Sequence, residues 1–199
     1  MRRPDPVLLE GHGVRLEPLT RAHVPDLLAV AQDDDVWRFL SLPQPRDEAA
    51  MAAVVDAAAA DPDRVAWAGV VDGRAVGSSS YLDVDLAVSG LEIGWTWYAR
   101  SVWASHVNPA CKRLLLGHAF DDLGVQRVTF KLDARNHRSF RAVERLGARY
   151  DGTLRHHRLR ADGTVRDSAY FSVLAAEWPQ VRAGLDARLA RPAASAPAR

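Results

Sequence analysis

The sequence predicts one domain in which helices layer on a single mixed, mostly antiparallel sheet, an α/β or α+β architecture. Three observations carry this. VAWAGVVDG and RAVGSSSYLDV are strand-like and meet at Asp72-Gly73, a strong hairpin signal. The run from residue 91 to 134 reads strand, helix, strand, the order of a βαβ crossover. The whole chain reads β-α-α-β-β-β-α-β-α-β-β-α, about seven strands with helices between them.

Each element has a local reason. GVRLEPL, 13–19, alternates as a first strand. Residues 21–32 place Val24, Leu27, Leu28 and Ala31 on one helical stripe. The prolines of DDDVWRFLSLPQPR rule out a long regular element there. Asp47 is placed to cap the helix DEAAMAAVVDAAAA, which Asp61-Pro62 ends. After the hairpin, Ser89-Gly90 leads into the strand LEIGWTWYA. Asn108 is a favoured helix N-cap and Pro109 suits the first helical position, so a helix is predicted over 109–123, ending at Gly124. QRVTFKLDA follows as a strand. Asn136 caps HRSFRAVERL, with Gly147 as its C-terminal glycine. YDGTLRHHRLR and VRDSAYFSVL form a last hairpin around Ala161-Asp162-Gly163. Helix 176–190 carries Trp178, Val181, Leu185 and Leu189 on one face. One domain is expected over 1–190, with a low-complexity, disordered tail over 191–199.

Composition narrows the function classes. The chain has 199 residues, 48% of them hydrophobic, enough for one substantial core. A net charge of +1 gives no reason to expect binding to nucleic acid or to an anionic membrane. The single cysteine, Cys111, excludes an intrachain disulfide and suits a reducing, cytoplasmic compartment. No Cys/His cluster has metal-site spacing; His156-His157 point to opposite faces of a strand. The N-terminal MRRPDPVLLEGHG lacks the apolar region of a signal peptide, and no apolar run is long enough to span a membrane.

Four groups of residues carry candidate chemistry. The turn SVWASHVN before helix 109–123 presents a helix N-terminus, a ready anion site, with Lys112 one turn in. It has neither the GxxxxGK[ST] nor the GxGxxG pattern. Glu92 shares its strand face with Gly94, Thr96 and Tyr98, opposite Leu91, Ile93, Trp95 and Trp97. On an edge strand it meets only water; on a central strand burial raises its pKa towards that of a usable general base. Asn136 and Ser139 sit at N-cap and third position, where they either satisfy backbone N–H groups or serve a ligand. Cys111 has no His/Asp partner pattern and reads as a packed small side chain rather than a nucleophile. Trp37, Arg38 and Phe39 lie in a loop-like stretch that could line a pocket.

Together, LEIGWTWYARSVWASHVNPACKRLLLGHAF and VTFKLDARNHRSFRAVERLGARYDGTLRHH resemble the core of the GCN5-related N-acetyltransferases, in the RimJ/RimL-type branch. The resemblance runs from about VRLEPL to the EWP before the last helix. It implies an acetyl-CoA enzyme that transfers acetyl directly to a primary amine, with no metal and no covalent acyl-enzyme. The turn residues Ser105, Val107, Asn108, Ala110, Cys111 and Lys112 would hold the diphosphate. The strand-end backbone at Trp97, Tyr98 and Ala99 would pair with the pantetheine arm, which Asn136 also contacts. Glu92 would be the base, and Ser139 would serve the departing thiolate. Tyr98 and Tyr170 are weaker alternatives for proton transfer. The family turn usually carries glycines where this chain has Ser105-His106-Val107-Asn108, so His106 either crowds the site or donates a hydrogen bond. The acceptor pocket would come from loop 33–46, with Trp37, Arg38 and Phe39, and from the hairpin around 155–170, with Tyr170. Arg155 and Arg158 could attract an acidic acceptor. The expected acceptor is a protein or peptide N-terminus; a small-molecule amine, or a non-catalytic acyl-CoA sensor, is the alternative. A homodimer through the last helix or a sheet edge is a family-level expectation.

Overall fold

The computed structural model describes residues 1–191, so most of the predicted low-complexity tail, 192–199, lies outside the described residues. Eight strands of the described residues form one open mixed sheet: β1 (Leu9–Gly11), β2 (Val14–Pro18), β3 (Val65–Val71), β4 (Arg74–Asp85), β5 (Gly90–Tyr98), β6 (Arg127–Asp133), β7 (Arg149–Leu159) and β8 (Val165–Leu174). Their spatial order is β1-β2-β3-β4-β5-β6-β8-β7. All neighbours are antiparallel except β5 and β6, which are parallel. Among the described residues six α-helices flank the sheet: α1 (Val24–Val30), α2 (Asp34–Trp37), α3 (Glu48–Ala60), α4 (Val107–Gly117), α5 (His137–Leu146) and α6 (Trp178–Leu189).

The strand beyond the expected seven is β1. It pairs with β2 through a tight turn in which His12 and Gly13 both have positive φ, 55° and 76°. Three residues are too few to show alternation, and His-Gly is not among the common hairpin pairs. The predicted helix 21–32 is split into a short 3-10 turn, Arg21–His23, and α1. Helix α4 starts earlier than Asn108. Its N-cap is His106, and the first closing bond runs from the Ala110 N–H to the His106 carbonyl. Pro109 fits because the third helical position also lacks a partner for its N–H. The helix then runs on through one π-turn, His118–Asp122. Asp47 and Asn136 cap α3 and α5 as predicted, accepting from the Ala50 and Ser139 N–H groups. Gly147 ends α5 with φ of 98°, a conformation that favours glycine.

Two cores sandwich the sheet. One joins Leu16, Trp67, Tyr81, Leu91, Ile93, Tyr98, Val128 and Phe171 to α4 and α6 through Leu115, Leu116, Trp178 and Leu185. The other packs Trp37, Met51, Val55 and Leu27 onto Ala68, Val70 and Trp97. Strand β5, like any strand covered on both faces, sends side chains to both cores, but an irregularity changes which residues go to which. Its pairing with β4 slips between Ser78↔Trp97 and Ser80↔Gly94, and Trp95 within the slip has φ of 49°. This bulge reverses the parity of the strand. The expected apolar face of Leu91, Ile93, Trp95 and Trp97 is therefore broken. Tyr98 joins Leu91 and Ile93, and Trp97 goes to the opposite core.

The parallel pairing of β5 and β6 stops early. It covers only Gly90↔Arg127, Leu91↔Val128 and Glu92↔Thr129. Beyond Glu92 the two strands part, and β6 keeps its antiparallel partner β8 as far as Asp133↔Ser168. Ligands in α/β sheets bind at the carboxyl ends of parallel strands, and this split is where such a crevice opens.

The turn after β6 is locked by a buried pair. Arg160 Nε donates to Asp133 Oδ2 at 2.6 Å, while Asp133 Oδ1 accepts from the Arg135 N–H at 2.9 Å. Burial pushes the Asp133 carboxyl up, but the Arg160 hydrogen bond and the Arg135 N–H outweigh it and hold it below the ordinary aspartate value. The stability it contributes is thus present above the ordinary aspartate range and lost as pH falls through the depressed value. Arg160→Met is expected to destabilise the chain by about 3 kcal/mol near neutral pH. The deficit should shrink as acid protonates Asp133. Urea unfolding at a series of pH values checks both.

Candidate active site

Two clefts meet at the β5–β6 split. The larger, about 400 Å³, is lined by the β5 end at Thr96, Trp97 and Tyr98, by Ser105, Asn108 and Pro109 at the start of α4, and by Asn136, Arg138 and Ser139 at the start of α5. The smaller, about 320 Å³, is lined by Glu92, Trp95, Asp83, Lys131, Arg158 and loop residues Phe39 to Ser41. Phe39, Leu40 and Arg166 line both.

Glu92 is the last residue of β5 paired to β6, only 7% exposed. The central-strand alternative therefore holds. Burial raises its carboxyl above the ordinary glutamate value. Lys131 opposes this, with Nζ 2.7 Å from Glu92 Oε2 and a second ion pair to Asp83. Gly94 makes room for it: a Cβ there would lie 2.5 Å from Glu92 Oε1 and 2.8 Å from Leu82 Cδ1.

The large cleft has a basic rim. Arg138 lies over the Trp103 ring, with Cζ 3.2 Å from its centroid. Arg138, Ala142 and Arg145 follow helical i, i+4, i+7 spacing along α5, and Arg188 joins them from α6. Among the described residues none of these arginines has an acidic partner within ion-pair distance, while partnered arginines such as Arg113 do. Sequence reasoning missed this rim. The spacing within α5 is a readable signal; Arg188 and Trp103 are joined to it only by the fold.

Several expectations change in detail. Ala99 gives its N–H to the Val76 carbonyl, and the Tyr98 carbonyl accepts from Trp103 Nε1 at 2.8 Å. The Ser105 hydroxyl is engaged with the Val102 carbonyl and the Val107 N–H. With Pro109 lacking an N–H and Ala110 bonded to His106, Asn108 offers the open N–H of the first turn. Val107, Ala110 and Cys111 point into the core. Burial raises the Cys111 thiol to about 11, which leaves it without nucleophilic character at neutral pH.

Lys112 does not reach the turn surface. It is 7% exposed, and Nζ donates to Thr96 Oγ1 at 2.9 Å; burial lowers it to about 7. His106 does not crowd the cleft either, because its Nε2 sits against Gly13. Trp37 is buried on Trp97, its Nε1 bonded to the Ala31 carbonyl, and Arg38 lies over Phe39; of the three, only Phe39 lines the clefts. Tyr170 lies beyond Lys131, with its ring 5.6 Å from Nζ. Asn136 spends its Oδ1 on the cap, while the Ser139 hydroxyl makes no hydrogen bond with the described residues.

Chemically, the site pairs a buried carboxylate with a long basic groove. No helix of the described residues is long and apolar enough to cross a membrane. Residues 14–149, more than half of the chain, match the family described as the acetyltransferase (GNAT) domain. A solved structure from T. thermophilus, provisionally described as an acetyltransferase, is 42% identical, with a TM-score of 0.88 over 94% of this chain and 99% of that one. The Bacillus subtilis protein YdaF, provisionally named a ribosomal N-acetyltransferase, is 31% identical over 107 residues. That match spans 54% of this chain and 57% of that curated relative. Mycobacterium smegmatis RimJ, solved with CoA-disulfide, shares the fold at 20% identity, with a TM-score of 0.79 over 92% of this chain and 95% of that one. The chain belongs to the GNAT acetyltransferase family.

Two measurements check the geometry. Gly94→Ala is expected to destabilise the chain by about 1–3 kcal/mol, because the new methyl displaces Glu92 and Leu82. Thermal unfolding reads this out. Cys111 should resist thiol-specific labelling in the native chain and react fully in denaturant.

Proposed function

We propose that this member of the GNAT family transfers an acetyl group from acetyl-CoA directly to a primary amine, with both held at the β5–β6 split. One observation carries the reading: Glu92, a buried carboxylate with a raised pKa, closes a small cleft that opens into a long groove with a basic rim. The groove suits a phosphate-bearing thioester. Arg138, Arg145 and Arg188 offer positive charge that no acid among the described residues pairs with, and Asn108 offers an N–H at a helix start. Trp97, Asn136 and Ser139 also line it. When bound, acetyl-CoA supplies the activated acyl group.

The residues divide the remaining work. Amines are mostly protonated at neutral pH, so the acceptor must lose a proton before it can attack. Glu92 takes that proton; its raised pKa brings it nearer the range of an effective base. Lys131 holds Glu92 Oε2 and favours the ionised form against the effect of burial. The Ser139 hydroxyl, free of other bonds among the described residues, is placed to hydrogen-bond the leaving thiolate. No nucleophile is needed, in keeping with the inert Cys111. The acceptor we favour is a protein N-terminus; YdaF, provisionally named a ribosomal N-acetyltransferase, supports an amine on a protein.

Glu92→Gln is expected to lower kcat/KM by about 100-fold. In the wild type the rate should rise with pH through the raised Glu92 value, because the ionised form is the active one. That acidic limb should vanish in the variant. Ser139→Ala should lower kcat with little change in the KM for acetyl-CoA. Release of thiol from acetyl-CoA, followed across pH with a panel of amines and peptides, checks both. An unchanged limb in Glu92→Gln removes the base assignment.

A further inference from the structure

We propose that the acceptor carries a carboxylate close to its reacting amine, and that Arg158 and Arg166 hold that carboxylate. This rests on the acetyl-transfer reading and names the class of amine. The two arginines face each other directly across the last hairpin, in the register pair Arg158↔Arg166. Like charges directly opposite on a sheet repel and destabilise the pair. Both line the small cleft beside Glu92, and Arg166 also lines the groove, so it stands where the two clefts join.

No acid of the described residues pairs with either arginine. Asp133 is held by Arg160, and Asp83 and Glu92 share Lys131. Asp61, the remaining acid of the cleft, accepts from the Asp63 N–H. Arg166 is half-buried, and its Nε is shut off from solvent with no hydrogen-bond partner among the described residues. A buried donor without a partner is costly to keep, and a planar guanidinium is suited to a carboxylate. The cleft is thus divided. Its acidic part, with Glu92, Asp83 and Asp61, suits an ammonium group, and its arginine part suits an anion. An acceptor with an amine and a carboxylate matches both parts at once.

Two matched pairs of amines test this, with acetyl-CoA as donor and thiol release as readout. One pair is the tripeptide amide Asp-Ala-Ala against Asn-Ala-Ala; the other is free alanine against alaninamide. The wild type is expected to favour the acidic member of at least one pair by about tenfold or more in kcat/KM. A preference in the peptide pair places the carboxylate on a side chain, and one in the alanine pair places it on the α-carbon. Arg166→Gln and Arg158→Gln should each collapse the ratio, and Arg166→Lys should restore part of it. Equal rates within both pairs in the wild type overturn the proposal. So does a ratio that survives both glutamine substitutions. Turnover without charge preference defeats only this inference. Failure of acetyl-CoA to bind, with no thiol released by any amine, defeats the underlying acetyl-transfer reading as well.

Discussion

The structure depends on one break in hydrogen bonding. Strands β5 and β6 pair for three residues and then separate after Glu92↔Thr129. Backbone groups in a sheet interior normally find partners, so a gap there needs support from both sides. β5 is held by β4 on its other edge, and β6 is held by β8 along its full length. The bulge at Trp95 turns the β5 end, carrying Trp97 into one core while Tyr98 stays in the other. The two aromatic side chains anchor the free half of β5 from opposite faces. What opens between the strands is a crevice lined by Thr96 and by the first turns of α4 and α5.

Charge placement follows from that crevice. Glu92 sits at its vertex, where desolvation and the Lys131 ion pair act in opposite directions on one carboxylate. Lys112, beneath the split, is buried with hydroxyl partners at Thr96 and Ser79, and burial lowers it to about 7. The site therefore combines two buried titratable groups with an arginine rim open to the groove. A buried charge is tolerated only with partners. Here the partners come from β4, β5 and β6, which ties the chemistry to the fold.

Much of this is legible in the sequence. The hairpin at Asp72-Gly73, the βαβ run, the Asp47 and Asn136 caps and the Gly147 stop all appear as predicted. Local chemistry determines these features, so local reading finds them. The misses are of another kind. Strict alternation places Trp95 and Trp97 with Ile93, and one inserted residue reverses the faces. Asn108-Pro109 looks like a helix start because both residues suit a first turn, yet the chain has already closed its first bond at His106. Lys112 reads as a turn residue because it lies one turn into the helix, whereas its side chain points to Thr96. The basic rim and the Arg158–Arg166 pair join α5, α6 and the last hairpin, which only the tertiary fold brings together.

The central claim is that the groove at the split receives acetyl-CoA. Calorimetric titration of the chain with acetyl-CoA tests it most directly, with Arg138→Gln as a control variant. The account predicts saturable one-to-one binding in the micromolar range, weakened in the variant and at raised salt. Absence of binding at millimolar acetyl-CoA in the folded chain would contradict it.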